Sequence, residues 1–263
     1  MGRLILTITL ILLIQNTLAM SLNNSVGASF PENDVKVNVS NASCPNIGLS
    51  NTKILELAAA SVDRFWNTVP TSRLRLERGS IVTVSGDFQS GILCSSGLNS
   101  SCTPNPALVH TNDIIISCNQ NASNFPGSTN ILALAVPNNI VSGDIKGAVI
   151  LLNDTASTGL AGLSDDEMMA IIAHEIGHAI GLGHSRFAKN LMHYESSSSR
   201  FYLAEDDVYG ITYLYPTNHP IAGCGTIDMN SKSKNLTMLL SFFLTLLFFY
   251  IRKDRPLAKH LSS

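Results

Sequence analysis

Residues 174–184 read His-Glu-Ile-Gly-His-Ala-Ile-Gly-Leu-Gly-His, and these eleven positions hold the densest chemistry in the chain. On a helix, His174 and His178 are four residues apart and point to one face, so two imidazoles can meet one metal ion. Glu175 stands beside the first of them, where a carboxylate can reach a water at the metal without being a ligand. Gly181 lets the helix stop and the chain turn, because glycine tolerates backbone angles that other residues resist. The turn can return His184 as a third ligand. Three protein ligands with a position left open is the arrangement of a catalytic zinc, whereas a structural zinc is usually closed by four. A bare H-E-x-x-H recurs in unrelated helices; the added Gly181 and His184, each in register, set this run apart.

In carrying the motif H-E-x-x-H-x-x-G-x-x-H, the chain resembles the metzincin metallopeptidases. That family places a methionine turn beneath the metal, and Asn190-Leu191-Met192-His193-Tyr194 follows the third histidine at a suitable distance. The resemblance implies a structural role for Met192, whose soft side chain can pack under the ligand cage. Tyr194 stands two positions after Met192, as in astacin-like metzincins, and the resemblance implies that it can reach the metal or the reacting oxyanion. Ser185 after the third histidine points instead to the matrixin branch, so the two branches stay open. His193 reads as a surface residue rather than a fourth ligand.

The elements that must position these residues are legible as patterns. Ser164-Asp-Asp-Glu167 is a capping box with an acidic first turn, which starts the metal helix, and Met168, Ile171, Ile172 and Ile176 give it a buried face. Upstream, Asp34–Ser40 alternates like a half-buried strand, and Asn51–Asn67 has helical spacing at Ile54, Leu57, Ala58, Val62, Phe65 and Trp66. Ser72–Glu77, Ile81–Val84, Ile114–Ser117, Ile131–Val136 and Ile145–Asn153 read as strands. Downstream, residues 203–215 read as a last helix. This order is similar to a matrixin-like catalytic domain over residues 34–216. The resemblance implies an α+β, zincin-like fold: a twisted, mostly parallel sheet, an active-site helix and a small C-terminal subdomain. It also implies zinc as cofactor; calcium is a further candidate cation to which no residue is assigned. No Pro-Arg-Cys-Gly latency motif precedes the domain, and His110 reads as a loop residue rather than a ligand.

The ends suggest export. Residues 1–19 have the layout of a signal peptide, with an uncharged run from Leu4 to Ile14 and small residues before a cleavage point after Ala19. Residues 20–33, rich in Asn and Ser, read as a linker, as do residues 217–235. Leu236–Ile251 is uncharged over 16 residues and is followed by Arg252, Lys253, Arg255 and Lys259. This is a membrane span of modest length with a basic cytoplasmic tail over residues 252–263, or a processed sorting tail. Residues 20–235 carry 12 Lys and Arg against 18 Asp and Glu, a mildly acidic balance that gives no basic face for nucleic acid.

Five cysteines in an exported chain point to disulfides, with Cys94–Cys102 the first pairing and Cys44–Cys118 the second; Cys224 is left over. Asn-x-Ser/Thr sequons occur at Asn23, Asn38, Asn41, Asn99, Asn121, Asn153 and Asn235. The functional expectation is a secreted or surface-anchored zinc endopeptidase acting on extracellular proteins or peptides, with Glu175 as general base and Tyr194 as oxyanion partner. The alternative is a non-catalytic surface domain that keeps zinc only for its fold.

Overall fold

A computed structural model describes residues 21–22, 27–94, 103–127, 130–195 and 200–217. The described residues belong to one compact unit. The expected signal peptide and the apolar segment 236–251 lie outside the described residues, among which no helix is long and apolar enough to cross a membrane.

Five strands form one sheet: β1 (Asp34–Ser40), β2 (Arg75–Val82), β3 (Ile114–Asn119), β4 (Ala133–Val141) and β5 (Asp144–Asn153), in the order β2-β1-β3-β5-β4. The first four positions pair in parallel, and β4 runs antiparallel to β5 at one edge. Three helices follow the expected spans: α1 (Asn51–Arg64), α2 (Asp165–Ala179) and α3 (Glu205–Leu214). This is the expected α+β arrangement with a mostly parallel sheet.

The two central strands are apolar on both faces, as parallel strands covered on both sides must be. Ile114, Ile116, Ile150 and Leu152 face the main core under α1 and α2, while Ile115, Val149 and Leu151 face a second cluster around Phe88, Leu93, Leu108 and Phe125. Each such side chain contributes roughly 1.5–3 kcal/mol by leaving water. α1 begins because Ser50 caps it, accepting from the Lys53 N–H, and it buries Ile54, Leu55, Leu57, Ala58 and Val62. It is joined to α2 by the Trp66 indole N–H, which donates to the Ala173 carbonyl at 2.9 Å.

Three expectations are corrected. Ser72–Glu77 and Ile81–Val84 are not two strands: β2 runs unbroken from Arg75 to Val82. The alternation is interrupted at Gly79-Ser80 because the register against β1 shifts between Val37 and Val39, and the Asn38 side-chain carbonyl fills the gap by accepting from the Ser80 N–H. The strand expected to end at Val136 continues through Pro137 to Val141, which an edge strand allows because proline's missing N–H faces outward or falls at an irregularity. Within the stretch read as a linker, Ala28 and Phe30 are fully buried in the main core rather than solvated.

Cys44 and Cys118 form a disulfide. Cys94 is disulfide-bonded as well, while Cys102 and Cys224 lie outside the described residues. The sequons at Asn38 and Asn153 are inside the fold, where both side chains are buried, so neither offers a glycan acceptor on the folded domain.

Candidate metal centre

α2 starts as its sequence dictates. The Ser164 side chain accepts from the Glu167 N–H, and the Glu167 carboxylate accepts from the Ser164 N–H at 2.9 Å. From that start, the helix delivers His174 and His178 one turn apart, and it ends at Ile180. Gly181 then turns the chain with φ of +106°, a conformation that a side chain would strain. The turn places His184 opposite the other two imidazoles, and one nitrogen from each of the three rings lies within 4.8 Å of the others.

The tautomers follow from the partners. His174 Nδ1 lies 2.7 Å from the Leu191 carbonyl, and His178 Nδ1 lies 2.8 Å from the Leu182 carbonyl. Carbonyls only accept, so both Nδ1 atoms carry the proton and donate, which leaves both Nε2 lone pairs for a metal. His178 Nε2 is 3.1 Å from His184 Nε2. Tetrahedral zinc with bonds of about 2.0–2.1 Å separates its nitrogen ligands by about 3.3 Å, so the donor set fits this ion. Burial keeps the imidazoles neutral: it pulls His174 down to about 4, His178 well below its ordinary 6.5, and His184 downward too.

Glu175 is 7% exposed and lines the same cleft, and burial pushes its carboxyl up to about 8. The cleft has a volume of about 810 Å³. One wall is the edge strand β4 with the residues leading into it, and the floor is α2 through Ala170, Ile171 and the histidines. Tyr194 stands at its rim, 64% exposed, with its ring 4.4 Å from that of His193.

Met192 is buried beneath the helix, and a Cβ added to Gly177, between the two helical histidines, would collide with its sulfur. Glycine is needed there for that close approach. Two features hold the turn in place: Asp207, which the sequence pattern did not single out, and Ser185, which it marked only as a branch residue. The buried Asp207 carboxylate accepts from the N–H groups of Leu191 (2.7 Å), Met192 (3.0 Å) and Ala204 (2.9 Å). Ser185 N–H donates to the Met192 carbonyl at 2.8 Å, and the Ser185 hydroxyl donates to Asp206 at 2.6 Å. The acidic run Glu205-Asp-Asp207 after Ala204 was the available signal, but solvent-facing charge at a helix start gives the same sequence.

His193 is not a surface residue. It is 5% exposed, and its Nδ1 lies 3.1 Å from the Arg200 guanidinium, which also donates to the carbonyls of Ala188 and Glu195. Arg200 pulls it in because a buried guanidinium needs acceptors for its five N–H groups. His110 pairs with Asp113, outside the histidine cluster. Among the described residues the three-histidine cluster is the one group of three or more His, Cys, Asp or Glu arranged to hold a metal.

Comparison with known proteins agrees with this geometry. Residues 110–216 match the matrixin family model. Stromelysin-1 of Mus musculus is 44% identical over 73 residues, covering 26% of this chain and 15% of the relative. Matrix metalloproteinase-19 of Homo sapiens is 37% identical over 91 residues, covering 30% and 18%. Metalloendoproteinase 2-MMP of Arabidopsis thaliana is 32% identical over 100 residues, covering 37% and 24%. The chain thus spans less than a quarter of the length of each of these relatives. The metal helix, the methionine turn and the strands beside them fall inside the matched residues. Over residues 110–216 the chain is similar to the matrixin family of metzincins, and its three-histidine cluster is consistent with the zinc site of that family.

Proposed function

We propose that this domain is a zinc endopeptidase that hydrolyses peptide bonds of proteins outside the cell. The observation that carries the reading is the Glu175 carboxyl, buried beside three convergent imidazoles and open to the cleft. A zinc serving only the fold needs no such group. Zinc, when bound, supplies Lewis-acid chemistry that polarises a carbonyl and acidifies water. His174, His178 and His184 are its ligands in this reading. Glu175 takes a proton from the attacking water and passes it to the amine that leaves. Tyr194, at the rim, donates to the developing oxyanion. The substrate lies extended along β4, whose outer edge offers backbone groups for strand addition.

Two of the three relatives, matrix metalloproteinase-19 and metalloendoproteinase 2-MMP, are metalloproteinases by name, which supports the reaction class. The layout of residues 1–19 and 236–251 supports export and a tether at the cell surface, with the catalytic domain outside.

The test is Glu175→Ala in the zinc-loaded protein with a quenched peptide mixture. Hydrolysis is expected to fall by at least about 100-fold while zinc content stays whole. Intact hydrolysis in that variant sinks the reading. If the wild type cleaves nothing and zinc removal only unfolds it, the metal serves the fold alone.

A further inference from the structure

The residues preceding β1 lie along the loop that carries the third histidine. Leu22 bridges Leu182 in antiparallel fashion, and the Gly183 N–H donates to the Ser21 carbonyl at 2.9 Å. The Ser21 hydroxyl donates to the His184 carbonyl at 2.5 Å. Further on, the Tyr215 hydroxyl donates to the Ile180 carbonyl at 2.7 Å and accepts from the Phe30 N–H at 3.1 Å. The turn is therefore held at its His184 end by Ser21 and Leu22, and at its helix end by Tyr215, whose hydroxyl also holds the Phe30 N–H.

Two glycines make this contact possible. A Cβ on Gly181 would stand 2.6 Å from the Ala28 carbonyl oxygen, and one on Gly183 would stand 2.5 Å from the Ser21 hydroxyl and 3.0 Å from the Leu22 backbone. Gly183 is thus glycine for a reason separate from the metal motif: it seats another segment of backbone.

We propose that Ser21 and Leu22 are positioning residues for the third metal ligand. His174 and His178 ride on a rigid helix and have their Nδ1 atoms fixed by carbonyls. His184 sits on a loop and is exposed, so its hold is on the backbone, through Ser21 on its own carbonyl and on the N–H of Gly183. Leu22 anchors the strap by packing on the main core. Loosening the strap lets the His184 imidazole leave the cluster, and a three-ligand site that loses one ligand releases its ion faster. The inference rests on the zinc reading of the histidine cluster. Its readout is metal release and not proteolysis, so it can fail while the peptidase reading stands, and the reverse.

The test uses the full chain loaded with zinc and mixed with an excess of a chromogenic chelator at neutral pH. Ser21→Ala and Leu22→Asp are expected to release zinc about tenfold faster than wild type, with Ser21→Thr, which keeps the hydroxyl, within about twofold. In the cobalt-substituted protein, the visible absorption of Ser21→Ala should shift as the His184 bond weakens. Wild-type release from both Ser21→Ala and Leu22→Asp overturns the proposal. So does Ser21→Thr releasing as fast as Ser21→Ala. A lowered melting temperature for Ser21→Ala with unchanged release also overturns it, because the strap would then serve the fold alone.

Discussion

At the scale of residues, one burial pushes Glu175 and His174 in opposite directions. It disfavours charge, so the carboxyl rises to about 8 from 4.5 and the imidazole falls to about 4 from 6.5. The signs give opposite consequences for the metal-free protein. Between pH 4.5 and about 8, folded Glu175 holds a proton that the unfolded chain has lost, so this group costs stability increasingly as pH rises. Between about 4 and 6.5, unfolded His174 binds a proton that the folded state refuses, so stability is lost as pH falls. Glu175→Gln removes only the first effect. With zinc chelated, the melting temperature of Glu175→Gln should exceed that of wild type by a margin that grows from pH 5 to pH 8. A margin that is flat or shrinks with pH would show that Glu175 is not the buried acid described. The four residues of this site were legible because their chemistry is set by residue type and helical spacing alone. Asp207 and Ser21 were not, because each acts on backbone groups of another segment of the chain.

At the scale of elements, α2 needed little beyond its own sequence: a capping box, an apolar face and a glycine stop. The methionine turn has no such local code. Its Leu191 and Met192 N–H groups end on a carboxylate of α3, together with the Ala204 N–H that opens that helix. Asp207→Asn turns one of the two receiving oxygens into a donor facing donors. It should cost about 2–4 kcal/mol of stability, read by denaturant unfolding. Zinc release should accelerate as well, since the Leu191 carbonyl orients His174. Unchanged stability would mean that the turn holds itself. The merging of two expected strands into β2 has a similar cause, because the Asn38 side chain carries the pairing across the register shift.

At the scale of the whole molecule, the matched residues 110–216 take in β3, β4, β5, α2 and α3 but leave out β1, β2 and α1. Those missing elements cover one edge and one face of the sheet: β1 pairs β3, and Trp66 donates to Ala173 of the metal helix. A fragment of residues 110–216 alone should therefore fail to unfold cooperatively, whereas residues 20–217 should melt in a single transition. Circular dichroism on the two fragments checks this, and a sharp transition from the shorter one would refute it.

The clustering of the three histidines, the carboxyl beside them, the helix that carries two of them with its cap and stop, and most strands follow from the amino-acid sequence alone. These depend on side-chain type and on periods of two or 3.6 residues, which are local properties of the chain. It took the packed fold to show that Ala28, Phe30 and His193 are buried, and that Asp207 and Ser21 hold the loops carrying Met192 and His184. Both of those holds depend on which backbone N–H or carbonyl lacks a partner once the chain is packed. That demand arises only between segments far apart in sequence, so no local pattern can announce it.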